Sequence, residues 1–258
     1  MKRRLREIVD YSEFFRYLVY QQLEQRYNSS VLGFIWTLLF PLLTFASLAI
    51  VFSTLNRWDL RDFGVYFFSG YLGWLFFTNS CMMAAESVVG NPVYVTRLRM
   101  PRILLPLSSV TVNLIDLFAT VAVLFILMLI WDVPFSGSLL FLPISAAIMV
   151  VFVTGASLLC AVANVFMRDF RYLLSSAFFL WFFFSPILWK PEILTGSNRA
   201  IMDWNPVVPF LLLFQLPIWA GRVPEAATVI LSAGAAVALL LGGAAVFWRC
   251  ERNFYYYL

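Results

Sequence analysis

Six apolar blocks separated by short polar connections constrain the fold of this chain more than any other feature. A helix needs about 20 apolar residues to cross the hydrocarbon core of a bilayer, and each block is close to or above that length. The chain is 62% hydrophobic and only 12% charged, which is outside the range of soluble domains. The sequence therefore predicts an all-α integral membrane protein with one membrane domain over residues 1–258. Its six predicted transmembrane helices cover residues 32–55, 65–89, 103–131, 139–166, 173–189 and 226–248.

A seventh apolar block, residues 207–219, lies between the fifth and sixth predicted spans. It is too short to cross a bilayer comfortably and is flanked by prolines. Irregular backbone at membrane depth is tolerated where protein or water covers it. We therefore expect a re-entrant or interfacial segment at this position.

The basic residues lie mainly on one side of this topology. The N-terminal segment, the second and fourth connections and the C-terminal tail hold 13 of the 18 Lys and Arg residues. Cytoplasmic connections carry an excess of Lys and Arg, so both termini are expected in the cytoplasm, as an even number of spans requires. The net charge of +4 follows from this topology, and we infer no nucleic-acid binding from it.

The sequence shows no motif for a catalytic or metal site. It has no histidine and no glycine-rich phosphate loop, and Cys81, Cys160 and Cys250 lack paired spacing. The segment after the basic N-terminus is too polar for a signal-peptide core. We therefore expect a chain that is not an enzyme and that holds no metal or cofactor of its own.

An amphipathic pattern covers residues 10–27, ahead of the first span. Phe14, Phe15 and Leu18 recur at helical spacing, with charged and polar residues between them. This pattern is typical of a helix that lies in the membrane interface. Such a helix can anchor the start of the chain, or it can border the cytoplasmic mouth of a channel and contact a partner. The sequence leaves both roles open.

Two cytoplasmic connections mix charged residues with exposed aromatic ones. Residues 90–102 begin with a turn signal and include a piece compatible with a short helix, and residues 167–171 place Phe170 among charges. Basic residues in such connections can serve topology alone. Aromatic residues, methionine and arginine are enriched in the cores of protein interfaces, so we favour docking of a soluble partner.

The fifth block is aromatic at its centre, with six aromatic residues among residues 178–184, before Ser185 and Pro186 interrupt the helix. Aromatic faces can contact the C–H faces of sugar rings without fixed hydrogen bonds, so a polymer could slip along them. Packing, lipid contact or an interfacial belt explains any single ring better. The group as a whole favours a channel lining on at least one helix face. The predicted channel-lining residues are Trp36, Phe40, Tyr71, Trp74, Phe178, Trp181, Phe182 and Trp189.

Two acidic residues lie at membrane depth, Glu86 near the end of the second span and Asp116 within the third. Ionisable residues in spans usually face protein or water. A proton-coupled mechanism would use such residues, but no lysine or histidine accompanies them. We interpret both as polar contacts inside the helix bundle.

Short motifs along nearly the whole chain resemble, in order, those of permease subunits of polysaccharide-exporting ABC transporters. The closest resemblance is to the O-antigen permeases of the Wzm type, with teichoic-acid and capsule permeases as neighbours. The motifs are residues 26–36 followed by Pro41, residues 101–108, residues 164–169, residues 183–187, and Asn205 with Pro206.

This resemblance implies a subunit of a homodimer that encloses a channel in the bacterial inner membrane. Two copies of a separate ATPase would dock below it and bind ATP and Mg²⁺. Residues 10–27 would form a gate helix, and residues 190–219 would form short re-entrant helices that cap the channel externally. The implied ATPase-coupling residues are Asn91, Pro92, Tyr94, Arg97, Arg99, Arg168, Asp169 and Arg171.

The implied substrate is a polysaccharide linked to undecaprenyl pyrophosphate. Its phosphates would enter at the cytoplasmic gate, beside Arg16, Arg26 and Tyr27, where arginines can form charge-assisted pairs. Export of teichoic acid, of capsule or of a small molecule remains an alternative. A membrane enzyme of lipid-linked sugar synthesis would show clustered catalytic residues, and a secondary transporter would normally show more spans or an internal repeat.

Overall fold

The computed structural model of the protein describes residues 10–27, 33–56, 59–98, 100–193 and 200–257, and this part of the chain is helical without a β-strand. Short 3₁₀ helices cover Gly137–Phe141, Pro191–Ile193 and Glu251–Tyr256. The α-helices of the described residues are α1 (Ser12–Tyr27), α2 (Ile35–Asn56), α3 (Leu60–Val89), α4 (Pro92–Arg97), α5 (Leu104–Ile130), α6 (Leu142–Phe166), α7 (Phe170–Phe183), α8 (Ala200–Asp203), α9 (Val208–Ile218) and α10 (Ala226–Cys250).

Several of these helices are of membrane grade. Within the described residues, the stretches Leu104–Ile130, Gly137–Phe166 and Ala226–Tyr256 are long and apolar enough to cross a membrane by length and composition. Helices α7 and α9 and the part of α2 up to Val51 are apolar but shorter. The all-helical membrane class is therefore confirmed, while the count of six spans stays a prediction. The aromatic helix α7 ends at Phe183, so residues 184–189 of the predicted fifth span form turns.

Helix α3 lies at the centre of the bundle. It contacts α2, α5, α6, α7 and α9, and most of its side chains are buried. Its small residues allow this close packing. A Cβ atom at Gly70 would lie 2.5 Å from Nε2 of Gln215 in α9, and one at Gly64 would lie 2.4 Å from the ring of Trp131. The glycines of α3 thus leave space for the large side chains of neighbouring elements.

Helices α6 and α10 cross at a pair of glycines. A Cβ atom at Gly155 would lie 2.6 Å from the backbone of Leu239 and Leu240, and one at Gly243 would lie 2.5 Å from the carbonyl oxygen of Gly155. Small residues let helix backbones approach closely in membranes, where van der Waals packing drives association. This crossing fixes the last helix against the bundle.

One end of the bundle, which we call the basic end, gathers α1, α4, the turn between α6 and α7, and residues 251–257. Tyr94 of α4 contacts Gln21 of α1. The Arg102 guanidinium donates to the carbonyl oxygen of Glu251, and Arg168 donates to that of Tyr257. The described N-terminal and C-terminal segments therefore lie at the same end, as the predicted topology requires.

The opposite end is closed by a polar cluster around Asp62. Its carboxylate accepts hydrogen bonds from Lys190 Nζ at 2.6 Å and from Trp219 Nε1 at 2.7 Å. Burial alone would raise the pKa of Asp62, but these two hydrogen bonds outweigh burial and lower it below its ordinary value. The Tyr66 hydroxyl also donates to the carbonyl oxygens of Pro186 and Trp189. The chain after α7 is therefore tied to the start of α3.

Candidate functional site

The last turn of α1 is bound to the middle of α5 through Asp116. The Arg26 guanidinium lies 2.6 Å from Oδ2 of Asp116, and the Tyr27 hydroxyl donates to Oδ1 at 2.6 Å. Nearer the start of α5, the Gln22 amide donates to the Ser108 hydroxyl at 2.9 Å. These bonds attach α1, along two turns, to a helix that is long and apolar enough to cross a membrane.

Asp116 makes polar contacts inside the bundle, in agreement with its interpretation from the sequence. Its side chain is only 11% exposed, whereas that of Arg26 is 36% exposed. Burial and the neighbouring carboxylate raise the pKa of Tyr27, so its hydroxyl stays protonated and donates. Arg26 is therefore engaged by Asp116, and a pyrophosphate would have to compete for it. Arg16, the other predicted phosphate contact, is exposed on α1.

The first predicted coupling element is the short helix α4. Asn91 precedes its first turn and donates from its amide to the Ser87 carbonyl oxygen at 2.9 Å, and Pro92 occupies the first helical position, which suits proline. Val95 is buried and anchors the helix, while Arg97 is exposed. The predicted coupling residue Arg99 lies outside the described residues.

Tyr94 joins α4 to α1. Its hydroxyl donates to Oε1 of Gln21 at 3.0 Å, and its ring packs edge-on against Phe14 with centroids 5.8 Å apart. Gln21 lies on the same helix as Arg26 and Tyr27. A displacement of α4 would therefore reach Asp116 through α1.

The second predicted coupling element, the turn between α6 and α7, is held by charges. Arg171 lies 2.8 Å from Glu86 at the end of α3, and its guanidinium lies 4.5 Å from the ring centre of Tyr172. Asp169 is exposed just before the first turn of α7. The interpretation of Glu86 as a contact inside the bundle is wrong, because its side chain is 53% exposed in the last turn of α3.

The C-terminal segment connects these two elements, and sequence reasoning missed it. Phe254 is fully buried against Phe247 and Phe166. Arg102 holds this segment next to α4 through the carbonyl oxygens of Glu251 and Val95. The alternation of basic and aromatic residues after the last apolar block is the signal that could have found it.

Five of the predicted channel aromatics instead pack together between α3 and α7. Tyr71 and Trp74 of α3 are buried, and Trp74 contacts Phe178 edge-on at 6.2 Å. Trp181 and Phe182 are half-buried in the same cluster, through contacts with Trp74 and Tyr71. The rings on each helix share one helical face, as their spacing predicted. The two faces meet each other within the subunit.

The exposed aromatic surface lies on the other face of α7 and on α2. Phe179 is 67% exposed, compared with 7% for Phe178 one position earlier. Phe183 and Phe184 are also exposed. The predicted channel residues on α2, Trp36 and Phe40, are exposed as well. Trp189 is half-buried and donates from Nε1 to the Phe183 carbonyl oxygen.

No group of three or more His, Cys, Asp or Glu side chains suited to a metal occurs in the part of the chain that the structure describes. The features that stand out are a bundle of apolar helices, a helix α1 bound to the buried carboxylate of Asp116, and a basic end built from short connected elements. Together they define a helical membrane protein with several apolar helices.

Comparison with known proteins identifies the family. Residues 13–216 match the ABC-2 type transporter family, and the chain belongs to this family. It is 28% identical over 256 residues to the O-antigen export system permease protein RfbA of Myxococcus xanthus, with 98% of each chain covered. It is 26% identical over 196 residues to a Klebsiella pneumoniae protein of the same name, with 76% of each chain covered. The resemblance to O-antigen permeases is therefore confirmed.

Proposed function

We propose that this chain is the channel-forming permease subunit of an ABC transporter that exports a lipid-linked, O-antigen-like polysaccharide across the bacterial inner membrane. The observation that carries this proposal is the similarity to an O-antigen export permease over 98% of both chains. Two copies of the chain enclose the channel, and two copies of a separate ATPase subunit supply ATP hydrolysis. The substrate is a polymer attached to undecaprenyl pyrophosphate.

The proposed topology has six spans, with the basic end in the cytoplasm and the Asp62 cluster outside. The arginines of the basic end support this orientation. The Pro191–Ile193 turn, α8 and α9 then form the external re-entrant cap of residues 190–219. The buried packing of α9 on α3 supports this role, because a re-entrant segment needs cover from protein.

The proposed coupling path begins where the ATPase contacts α4 and the turn between α6 and α7. Movement of α4 passes through the bond from Tyr94 to Gln21 into α1. Helix α1 then changes its contact with Asp116 at the cytoplasmic mouth of the channel. Short elements with discrete packing arrangements are a known means of transmitting such a shift.

The proposed polymer path uses the exposed aromatic rings. Trp36 and Phe40 of α2 and Phe179 and Phe183 of α7 are exposed on the subunit and can face a channel shared with a second copy. The rings of Tyr71, Trp74 and Phe178 are buried between α3 and α7 and hold α7 against α3. Arg16, which is exposed on α1, is the better candidate for contact with the pyrophosphate.

Gene deletion tests the proposal. Cells that lack this chain should lose surface polysaccharide and accumulate undecaprenyl-linked polymer inside, and the intact gene should restore export. A variant of the partner ATPase that cannot hydrolyse ATP is the matched control and should give the same accumulation. Unchanged surface polysaccharide with no retained polymer would refute the function. Retention of an undecaprenyl-linked teichoic acid or capsule would correct the substrate.

A further inference from the structure

A cleft of about 300 Å³, lined by both polar and apolar side chains, lies beside the bond between α1 and Asp116. It is bordered by the end of α1 and by α2, α3 and α5, and it opens on the surface of the subunit. Its polar lining consists of Arg26, Tyr27, Thr37, Asn79, Asn113, Asp116 and Thr120. Small-molecule sites in proteins measure roughly 300–1,000 Å³, so this cleft has room for a small ligand or a short piece of a longer one.

The electrostatics of the cleft disfavour an anion. The positive charge of Arg26 is matched by Asp116, whose carboxylate lies 2.6 Å away in the same cleft. A phosphate that approached Arg26 would meet the carboxylate at the same time. The cleft is thus neutral overall, and it offers donors and acceptors without a free charge. A neutral ligand with many hydroxyl groups suits this lining better than the pyrophosphate that the sequence suggested for Arg26.

Asn79 contributes an amide to the cleft that has no hydrogen-bond partner in the part of the chain that the structure describes. The residue lies exposed in the middle of α3. An amide without a partner at membrane depth is costly, so it calls for water or a ligand. The amide offers two donors and one acceptor, which can pair with adjacent hydroxyl groups of a sugar ring.

Two aromatic rings stand at the edge of the same cleft. Trp36 and Phe40 are one helical turn apart on α2 and are 47% and 58% exposed. A flat apolar ring can contact the C–H face of a sugar while the amide binds its hydroxyl groups. The rings and the Asn79 amide therefore form a surface with both kinds of contact that a sugar offers.

A second groove on the protein provides a contrast. It measures about 600 Å³, lies between α5 and α6, and is lined only by apolar side chains, among them Phe118, Phe125 and Val150. That lining suits a hydrocarbon surface. The first cleft differs because part of its lining is polar, and those groups can pair with the hydroxyl groups of a glycan but not with an acyl chain.

We propose that the cleft between α1, α2, α3 and α5 is a binding site for a single neutral sugar unit of the transported glycan. Asn79 and Thr37 bind its hydroxyl groups, and Trp36 and Phe40 cover its apolar face. The pair of Arg26 and Asp116 forms the neutral floor and places the site directly at the gate helix. This inference rests on the proposed export function. It identifies the first place, next to the gate helix α1, where a sugar of the polymer contacts the permease.

Thiol labelling tests the site. The variant Asn79→Cys is made in a background in which Cys81, Cys160 and Cys250 are replaced by alanine, and it is purified with the ATPase in lipid nanodiscs. The rate of reaction with a hydrophilic maleimide is measured alone and with lipid-linked polymer extracted from the deletion strain. We expect the polymer to slow labelling at least several-fold. Undecaprenyl pyrophosphate without sugar, and inorganic pyrophosphate, should leave the rate unchanged.

Two further variants control the measurement. Val223→Cys lies in an exposed loop at the opposite end, and its labelling should not respond to polymer. Thr37→Cys reports from the opposite wall of the cleft if the Asn79 variant does not fold. Protection by pyrophosphate alone, or a thiol at either cleft position that never reacts, would overturn the sugar site. If polymer stimulates ATP hydrolysis without slowing labelling, the site fails while the export function stands.

Discussion

The Tyr94 hydroxyl donates a hydrogen bond to Oε1 of Gln21 at 3.0 Å and thereby joins the short helix α4 to helix α1. Arg26, five residues further along α1, lies 2.6 Å from Asp116. The proposed ATPase, by moving α4, could therefore act on the end of α1 that contacts Asp116 without touching it. This relationship is the basis of the coupling path proposed above.

Replacement of Tyr94 by phenylalanine should weaken this connection and leave the fold intact. A neutral hydrogen bond contributes about 1 kcal/mol, so we expect export to fall a few-fold while ATP hydrolysis by the complex continues. Export per ATP hydrolysed, measured in reconstituted vesicles, is the quantity to compare. Tyr17→Phe removes a hydroxyl from an exposed tyrosine of α1 and should have no effect. Equal loss in both variants would contradict the proposed path.

Asp116 should matter for assembly through its two partners on α1. Charge-assisted hydrogen bonds contribute roughly 1.5–3 kcal/mol, and Asp116→Leu removes the acceptor for both Arg26 and Tyr27. We expect this variant to unfold at lower temperature in detergent, while Asp116→Asn, which keeps one acceptor oxygen, is milder and still exports. The double variant Arg26→Met with Asp116→Leu should regain part of the loss, because no unpaired charge remains. Additive losses would show that the two side chains are not coupled.

The glycine crossing of α6 and α10 offers a stability test with internal controls. Gly155→Ala and Gly243→Ala each drive a methyl group into the opposing backbone, and overpacking of this kind costs about 1–3 kcal/mol. Gly234→Ala and Gly242→Ala meet no atom within 4 Å and should keep or raise the unfolding temperature. Thermal unfolding of the four purified variants gives the comparison. Four equal responses would mean that the close approach is absent in the membrane.

The sequence predicted the class of the fold well, because several apolar blocks that are each long enough to cross a bilayer are compatible with few other folds. The positions of α1 and α4 were also predictable, since Phe14 and Leu18 follow helical spacing and a piece compatible with a short helix follows the turn signal at residue 90. The short length of α7 was not. Pro186 marked the interruption, but the helix ends three residues before it, at Phe183.

The sequence singled out individual residues of the candidate site but did not predict which of them pair. Arg26 and Asp116 were singled out separately, but they are 90 residues apart in the chain and only the fold brings them together. The aromatic rings show a related limit. Helical spacing placed Trp74 and Phe178 on coherent faces but could not tell whether those faces meet each other or a channel.

Acid should loosen the cluster around Asp62, at the end of the bundle opposite the basic end. The pKa of this carboxyl is lowered from an ordinary value of 3.8 in the folded state, so its contribution to stability is present above that value and disappears as pH falls through the folded pKa. We expect the unfolding temperature to drop below about pH 4 in the native protein and to drop less in Asp62→Asn. Asp59→Asn, at an exposed aspartate just before α3, is the matched control and should follow the native curve. The effect is modest, because the Asp62 side chain is 47% exposed.

The two faces of α7 should respond differently to the same substitution. Phe178 is buried against Trp74 and Phe77, so Phe178→Ala should lower the stability by about 3–5 kcal/mol, the usual loss for a buried phenylalanine. Phe179 is 67% exposed, so Phe179→Ala should leave the unfolding temperature nearly unchanged and slow polymer export. Export is followed as surface polysaccharide after induction of the gene, at matched amounts of folded permease. Leu180→Ala, an equally exposed but aliphatic position on α7, should export at the native rate. If Phe179→Ala also exports at the native rate, the exposed rings of α7 face lipid and the polymer path runs elsewhere.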